Sequence, residues 1–144
     1  MFERYTLKAK RTIYFARHEG GQFGSPYIES EHLLLGLLRE EESLADTFLR
    51  SHEAVEAIRK QIEGQTVIRE RVPTSVDMPI SDECTRIFAY AAEEADKLSH
   101  KHIGTGHLFL GILREQDCFA AKLLCERGIR LEMARQQIGS APPE

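Results

Sequence analysis

Ile28-Glu29-Ser30-Glu31-His32-Leu33-Leu34-Leu35-Gly36-Leu37-Leu38-Arg39-Glu40 occurs a second time as Ile103-Gly104-Thr105-Gly106-His107-Leu108-Phe109-Leu110-Gly111-Ile112-Leu113-Arg114-Glu115. The copies are offset by 75 residues, and eight of the thirteen positions are identical. Each begins with a hydroxyl residue, Ser30 or Thr105, ahead of an apolar run. A hydroxyl there can accept a hydrogen bond from the first-turn amides, which lack partners inside a helix, so both residues are read as N-caps. Positions 33, 34, 37 and 38, and again 108, 109, 112 and 113, place four apolar side chains on one helical face. The stretch predicts a core-forming helix with a polar start, used twice.

The duplication extends outward from this helix. Upstream, Thr6 opens a segment with Ala9, Ile13 and Ala16 at helical spacing, and Ser81 opens its counterpart with Cys84, Phe88, Ala91 and Ala95. Gly20-Gly21-Gln22-Phe23-Gly24-Ser25-Pro26 is expected to break the first of these helices, whereas the second runs about a turn further through Ala95 to Leu98. Downstream, Leu44, Ala45, Phe48 and Leu49 match Phe119, Ala120, Leu123 and Leu124. One residue is inserted in the Arg127-Gly128-Ile129 turn, where Gly128 suits a positive φ, and Val55 to Ile62 then aligns with Leu131 to Ile138.

Each copy therefore reads as four helices with a very short third. The expected organisation is a single domain over 1–144: repeat 1 (1–64), a linker (65–79) with Pro73, Pro79 and one extended stretch at Val67-Ile68, repeat 2 (80–139), and a flexible tail (140–144). One copy alone would bury little core, so the two are expected to pack about a pseudo-twofold axis into an all-α, eight-helix domain.

Bulk properties narrow the function. The chain is 42% hydrophobic and 29% charged with a net charge of −4, so it lacks the basic character of a polyanion-binding protein, and no nucleic-acid partner is expected. Cys84, Cys118 and Cys125 are odd in number and read as reduced thiols. No apolar run approaches the roughly 18–20 residues that span a membrane, so a cytoplasmic chain with no membrane partner is expected.

The opening Met-Phe-Glu-Arg-Tyr-Thr, the paired His-Leu-x-Leu-Gly-x-Leu-Arg-Glu stretches and the closing Arg-Gln-Gln-Ile resemble the N-terminal domain of Clp ATPases, ClpC type, over nearly the whole chain. The resemblance implies a helical double repeat that sits on an ATPase ring. Such a domain binds adaptor proteins and protein substrates, which the ring unfolds and passes to the ClpP protease. It implies no catalysis and no cofactor. No G-x-x-x-x-G-K-[ST] phosphate loop is present, so the chain itself is not expected to be the motor. It reads either as the binding part of a Clp ATPase or as a stand-alone scaffold or decoy regulating the protease.

Two candidate sites follow. A helix start offers free amides to an anion, and an adjacent carboxylate can grip a guanidinium. The ClpC resemblance implies that such starts bind phosphoarginine through a Thr-Glu pair. Ser30 and Glu31 keep hydroxyl and acid, whereas Thr105 is followed by Gly106, which leaves a guanidinium without a partner. Capping alone and capping with ligand recognition both remain open. Phe2 and Ile80 precede the first helix of each repeat and form a second candidate, an apolar patch for peptides or adaptors, or else simple staples. His32 and His107 have no second ligand on their helices, so no metal is expected, and a hydrogen-bonded histidine near the helix start accounts for each. The Arg39 to Glu42 and Arg114 to Asp117 runs read as solvated faces or adaptor contacts, and Gly36 and Gly111 as close approaches of another helix.

Overall fold

Every regular element is helical in the computed structural model, which describes residues 2–142 and 144. In chain order these are α1 (Leu7–Phe23), α2 (Ser30–Glu40), α3 (Glu42–Leu44) running into a π-helical turn (Ala45–Leu49), and α4 (His52–Gln65). The second half supplies α5 (Asp82–Lys97), α6 (Thr105–Arg114), α7 (Phe119–Glu126) and α8 (Leu131–Ser140). Met1 and Pro143, which fall in the expected first repeat and tail, lie outside the described residues.

α2 and α6 are the buried centre. Leu33, Leu34 and Leu37 of α2 and Leu108, Leu110 and Ile112 of α6 are fully enclosed, each contributing roughly 1.5–3 kcal/mol of apolar burial. α1 lies against α2, α5 against α6, and the two central helices touch each other. The glycines set the spacing. A Cβ on Gly36 would stand 2.5 Å from the carbonyl oxygen of Thr12, and one on Gly111 2.5 Å from that of Ile87.

The halves close each other through two single-residue parallel bridges, Tyr5 with Ile103 and Ile28 with Ile80. In the first, the Thr6 amide donates to the Ile103 carbonyl (3.0 Å) and the Ile103 amide to the Arg4 carbonyl (2.9 Å). In the second, the Ile28 amide donates to Pro79 (2.9 Å) and the Ser81 amide to Ile28 (3.0 Å). The chain leading into the first helix of each half thus pairs with the loop before the second helix of the other.

Charged pairs are duplicated as well. Glu19, buried, accepts two parallel hydrogen bonds from Arg59 (2.9 and 2.8 Å), and Glu94, at the matching position of α5, accepts two from Arg135 (2.8 and 2.9 Å). Arg11 pairs with Glu40 and Arg86 with Glu115, while Arg39 lies over the ring of Phe15 and Arg114 over that of Tyr90. The Arg-Glu pairs that close α2 and its copy at the end of α6 are therefore tied to the first helix of their own half. Glu42, Gln116 and Asp117 in the same runs are exposed to solvent.

α1 does not break at Gly20-Gly21, the start of the expected stretch. It continues to Phe23 and is capped by Gly24 in the left-handed region (φ 67°). Gly21 answers instead to the linker, whose backbone crosses it, and Gly20 to the side chains of Met78 and His32. The Arg69 amide donates to Phe23 (2.9 Å), the Val72 amide donates to Gly21 (2.9 Å), and a Cβ on Gly21 would meet the Val72 carbonyl at 2.5 Å. Gly128 has the positive φ (80°) expected of it. α8 runs through Gly139 and Ser140, two residues beyond the expected helix end at Ile138.

Candidate functional site

The two helix starts are built by histidine. The extended residue before α2 is Glu29 and the one before α6 is Gly104, so Ser30 and Thr105 are the first residues inside their helices. Their reading as N-caps is thereby corrected. His32 and His107 turn back so that Nδ1 accepts the amide of Glu29 and of Gly104, each at 2.9 Å. With the imidazoles in that role, both hydroxyls are released for other partners.

An Nδ1 that accepts leaves the proton on Nε2. His107 Nε2 stands 2.9 Å from His100 Nδ1, and His32 stacks on Phe23 at 5.6 Å with its Nε2 unpartnered among the described residues. Burial pushes both imidazoles down to about 4, with His100 adding to the effect on His107, so both rings are neutral at ordinary pH.

At the start of α2, Ser30 is fully buried. Its Oγ accepts the Ala120 amide at 3.2 Å and lies 3.4 Å from Glu31 Oε1. Ser30 therefore joins the starts of α2 and α7 and faces the junction between the halves. Glu31 beside it is half-buried, and desolvation raises its carboxyl above the usual range, with Glu29 and Glu83 adding like charge. Three carboxylates around one helix start make this end acidic, a better seat for a guanidinium than for a lone phosphate.

The start of α6 is different. Thr105 donates its amide to Glu144 Oε2 (3.0 Å) and its Oγ1 to the same oxygen, while Thr6 Oγ1 donates to Glu144 Oε1 at 2.5 Å. Gly106 lies under α8, where a Cβ would meet Ile138 Cγ2 at 2.7 Å. A side chain at position 106 would have to displace Ile138. The surrounding cavity, about 370 Å³, is bounded by Thr6, His102, Gly104, Thr105 and Ile138.

Phe2 is half-buried, edge-on to Phe88 (5.6 Å) and Tyr5 (4.9 Å), and Ile80 packs against the core beside its bridge to Ile28. Phe2 thereby spans the boundary between the halves. Among the described residues no cluster of three or more His, Cys, Asp or Glu is placed to hold a metal, and no helix is long and apolar enough to cross a membrane. The sequence reading missed Thr6 and Glu144 as parts of the α6 start. Thr6 bore the signal of a cap, which it also is, accepting from the Ala9 amide at 3.1 Å, and Glu144 bore none.

Comparison with known proteins agrees with this architecture. The Clp repeat (R) N-terminal domain family matches residues 4–138. A negative regulator of genetic competence, ClpC/MecB of Bacillus subtilis, is 34% identical over 139 residues, which are 96% of this chain and 17% of that protein. The N-terminal domain of the chaperone ClpD from Arabidopsis thaliana superimposes with a TM-score of 0.68 at 25% identity, over 94% of this chain and 95% of that one. A ClpV N-domain solved in complex with a VipB peptide has the same fold, with a TM-score of 0.72 at 20% identity over 96% and 87% of the two chains. The chain belongs to the Clp repeat N-terminal domain family. It is ClpC-like, and it spans about a sixth of the length of the curated relatives it matches, 17% for ClpC/MecB.

Proposed function

We propose that this domain is a non-catalytic binding module of a Clp-type ATP-dependent unfoldase, receiving adaptor proteins and protein substrates for a ring that supplies ClpP. Family membership supports the general role, and the related ClpV N-domain, captured with a VipB peptide, supports peptide recognition on this fold. The observation that carries the finer reading is the half-buried, desolvated Glu31 carboxyl at the start of α2. A guanidinium would stabilise that carboxylate through paired hydrogen bonds, and a phosphoryl group on the same arginine would lie near the α2 amides. Phosphoarginine on a tagged protein carries both groups.

Ser30 holds this start in place and Glu31 grips the ligand, whereas the α6 start, with Thr105 and Gly106, takes only the anionic part. Phe2 and Ile80, at the boundary between halves, are the apolar patch for adaptor or peptide side chains. The reciprocal bridges support a pseudo-twofold arrangement of residues 1–64 and 80–139 around α2 and α6. Titration calorimetry of the domain with a phosphoarginine peptide tests the site. Glu31→Ala is expected to weaken binding about tenfold or more, the loss of a charge-assisted bond worth roughly 1.5–3 kcal/mol. Equal affinity in wild type and variant removes Glu31 from the site, and no binding in either removes the ligand.

A further inference from the structure

We propose that Glu144 is an internal occupant of the α6 start, a carboxylate latch that an external anion must displace. The inference rests on reading that start as an anion position and adds its regulation. Three donors converge on the carboxylate from two distant parts of the chain: the Thr105 amide, the Thr105 hydroxyl and the Thr6 hydroxyl. The positive end of the α6 dipole lies behind them.

Space is reserved for the latch. A Cβ on Gly104 would stand 2.9 Å from both Cδ and Oε1 of Glu144, so the carboxylate fits because residue 104 has no side chain. The matching position before α2 is Glu29, which brings a side chain of its own to that start. Ala141 leaves α8 with φ −78° and ψ 150°, and Ala141 and Pro142 line the same cavity. Glu144 remains exposed while bound, so the latch can exchange without disturbing the core.

A latch closed for most of the time lowers apparent affinity by the fraction left open. Opening it is therefore expected to tighten anion binding about three- to tenfold. The test is an NMR titration of inorganic phosphate into wild-type chain and Glu144→Ala, read at the Thr105 amide. The expected result is a shift of that amide on substitution alone, followed by phosphate binding about three- to tenfold tighter in the variant. Equal phosphate affinity in the two proteins overturns the latch and leaves the anion position standing. An amide that responds to the substitution but to phosphate in neither protein overturns the anion reading and the competition with it. An amide unmoved by the substitution overturns the contact itself.

Discussion

Arg135 on the last helix presents two guanidinium nitrogens to the two oxygens of Glu94 on α5, at 2.8 and 2.9 Å, and Glu94 is fully enclosed. The hydrogen bonds from Arg135 hold the Glu94 carboxyl below the usual range against the opposing effect of burial. Arg135→Met should therefore remove the two short hydrogen bonds of a buried carboxylate and leave it only Arg114 at 3.3 Å and Lys97 at 3.8 Å. We expect a loss of about 2–3 kcal/mol in urea unfolding at pH 7, below the ~3–5 kcal/mol of wholly buried pairs because the arginine is a third exposed. The pair's contribution is complete above the ordinary carboxylate value of 4.5 and is lost as pH falls through the lower native value. The variant's deficit should shrink in acid.

The capping imidazoles give a pH dependence of the same sign, set at milder values. His32 and His107 are held at about 4 by burial, against 6.5 in the unfolded chain. Between those values the unfolded chain binds protons that the native one refuses. Stability should therefore fall as pH drops from 6.5 toward 4, by roughly 3 kcal/mol for each ring at the lower limit. Urea midpoints across that window, with NMR titration of both imidazoles, measure it. Rings that titrate near 6.5 in the native state would contradict the neutral caps.

Gly36→Ala and Gly111→Ala each drive a methyl to 2.5 Å from a carbonyl oxygen of the neighbouring helix. The helix pairs α1–α2 and α5–α6 must then separate, at a cost of about 2–3 kcal/mol. Gly64→Ala is the control. Nothing lies within 4 Å of its Cβ position near the end of α4, and helix propensity alone should stabilise by up to ~1 kcal/mol. Denaturant midpoints that move the same way for all three would refute the packing account.

Ser30→Ala removes the acceptor for the Ala120 amide at the junction of α2 and α7. An unsatisfied buried amide costs about 1–3 kcal/mol, more than a few tenths expected from an exposed hydroxyl. Differential scanning calorimetry should record the drop, with faster hydrogen exchange at Ala120 as the local signature.

Much of this was readable because the chain states it twice. The offset between His32 and His107 also relates Glu19 to Glu94, Arg39 to Arg114 and Phe15 to Tyr90, and each pair does the same thing in both halves. The caps were legible at Thr6 and Ser81, where hydroxyls accept from Ala9 and Cys84. They were misread at Ser30 and Thr105, because a histidine three residues on can serve the cap residue's own amide and shift the helix start by one. Gly20-Gly21 misled for another reason. Glycine invites a break by local propensity, yet Gly21 makes room for the linker backbone, a tertiary demand that no local pattern encodes. Glu144 was invisible for the same reason, since its partners Thr6 and Thr105 come from elsewhere in the chain.

The crossed bridges at Tyr5–Ile103 and Ile28–Ile80 carry a consequence for how such a gene can be divided. Each half lends its leading segment to the other, so a protease cut between residues 65 and 79 would produce two fragments that are unfinished apart and complementary together. Mixed in equal amounts they should reassemble, and either one kept alone should remain a loose chain.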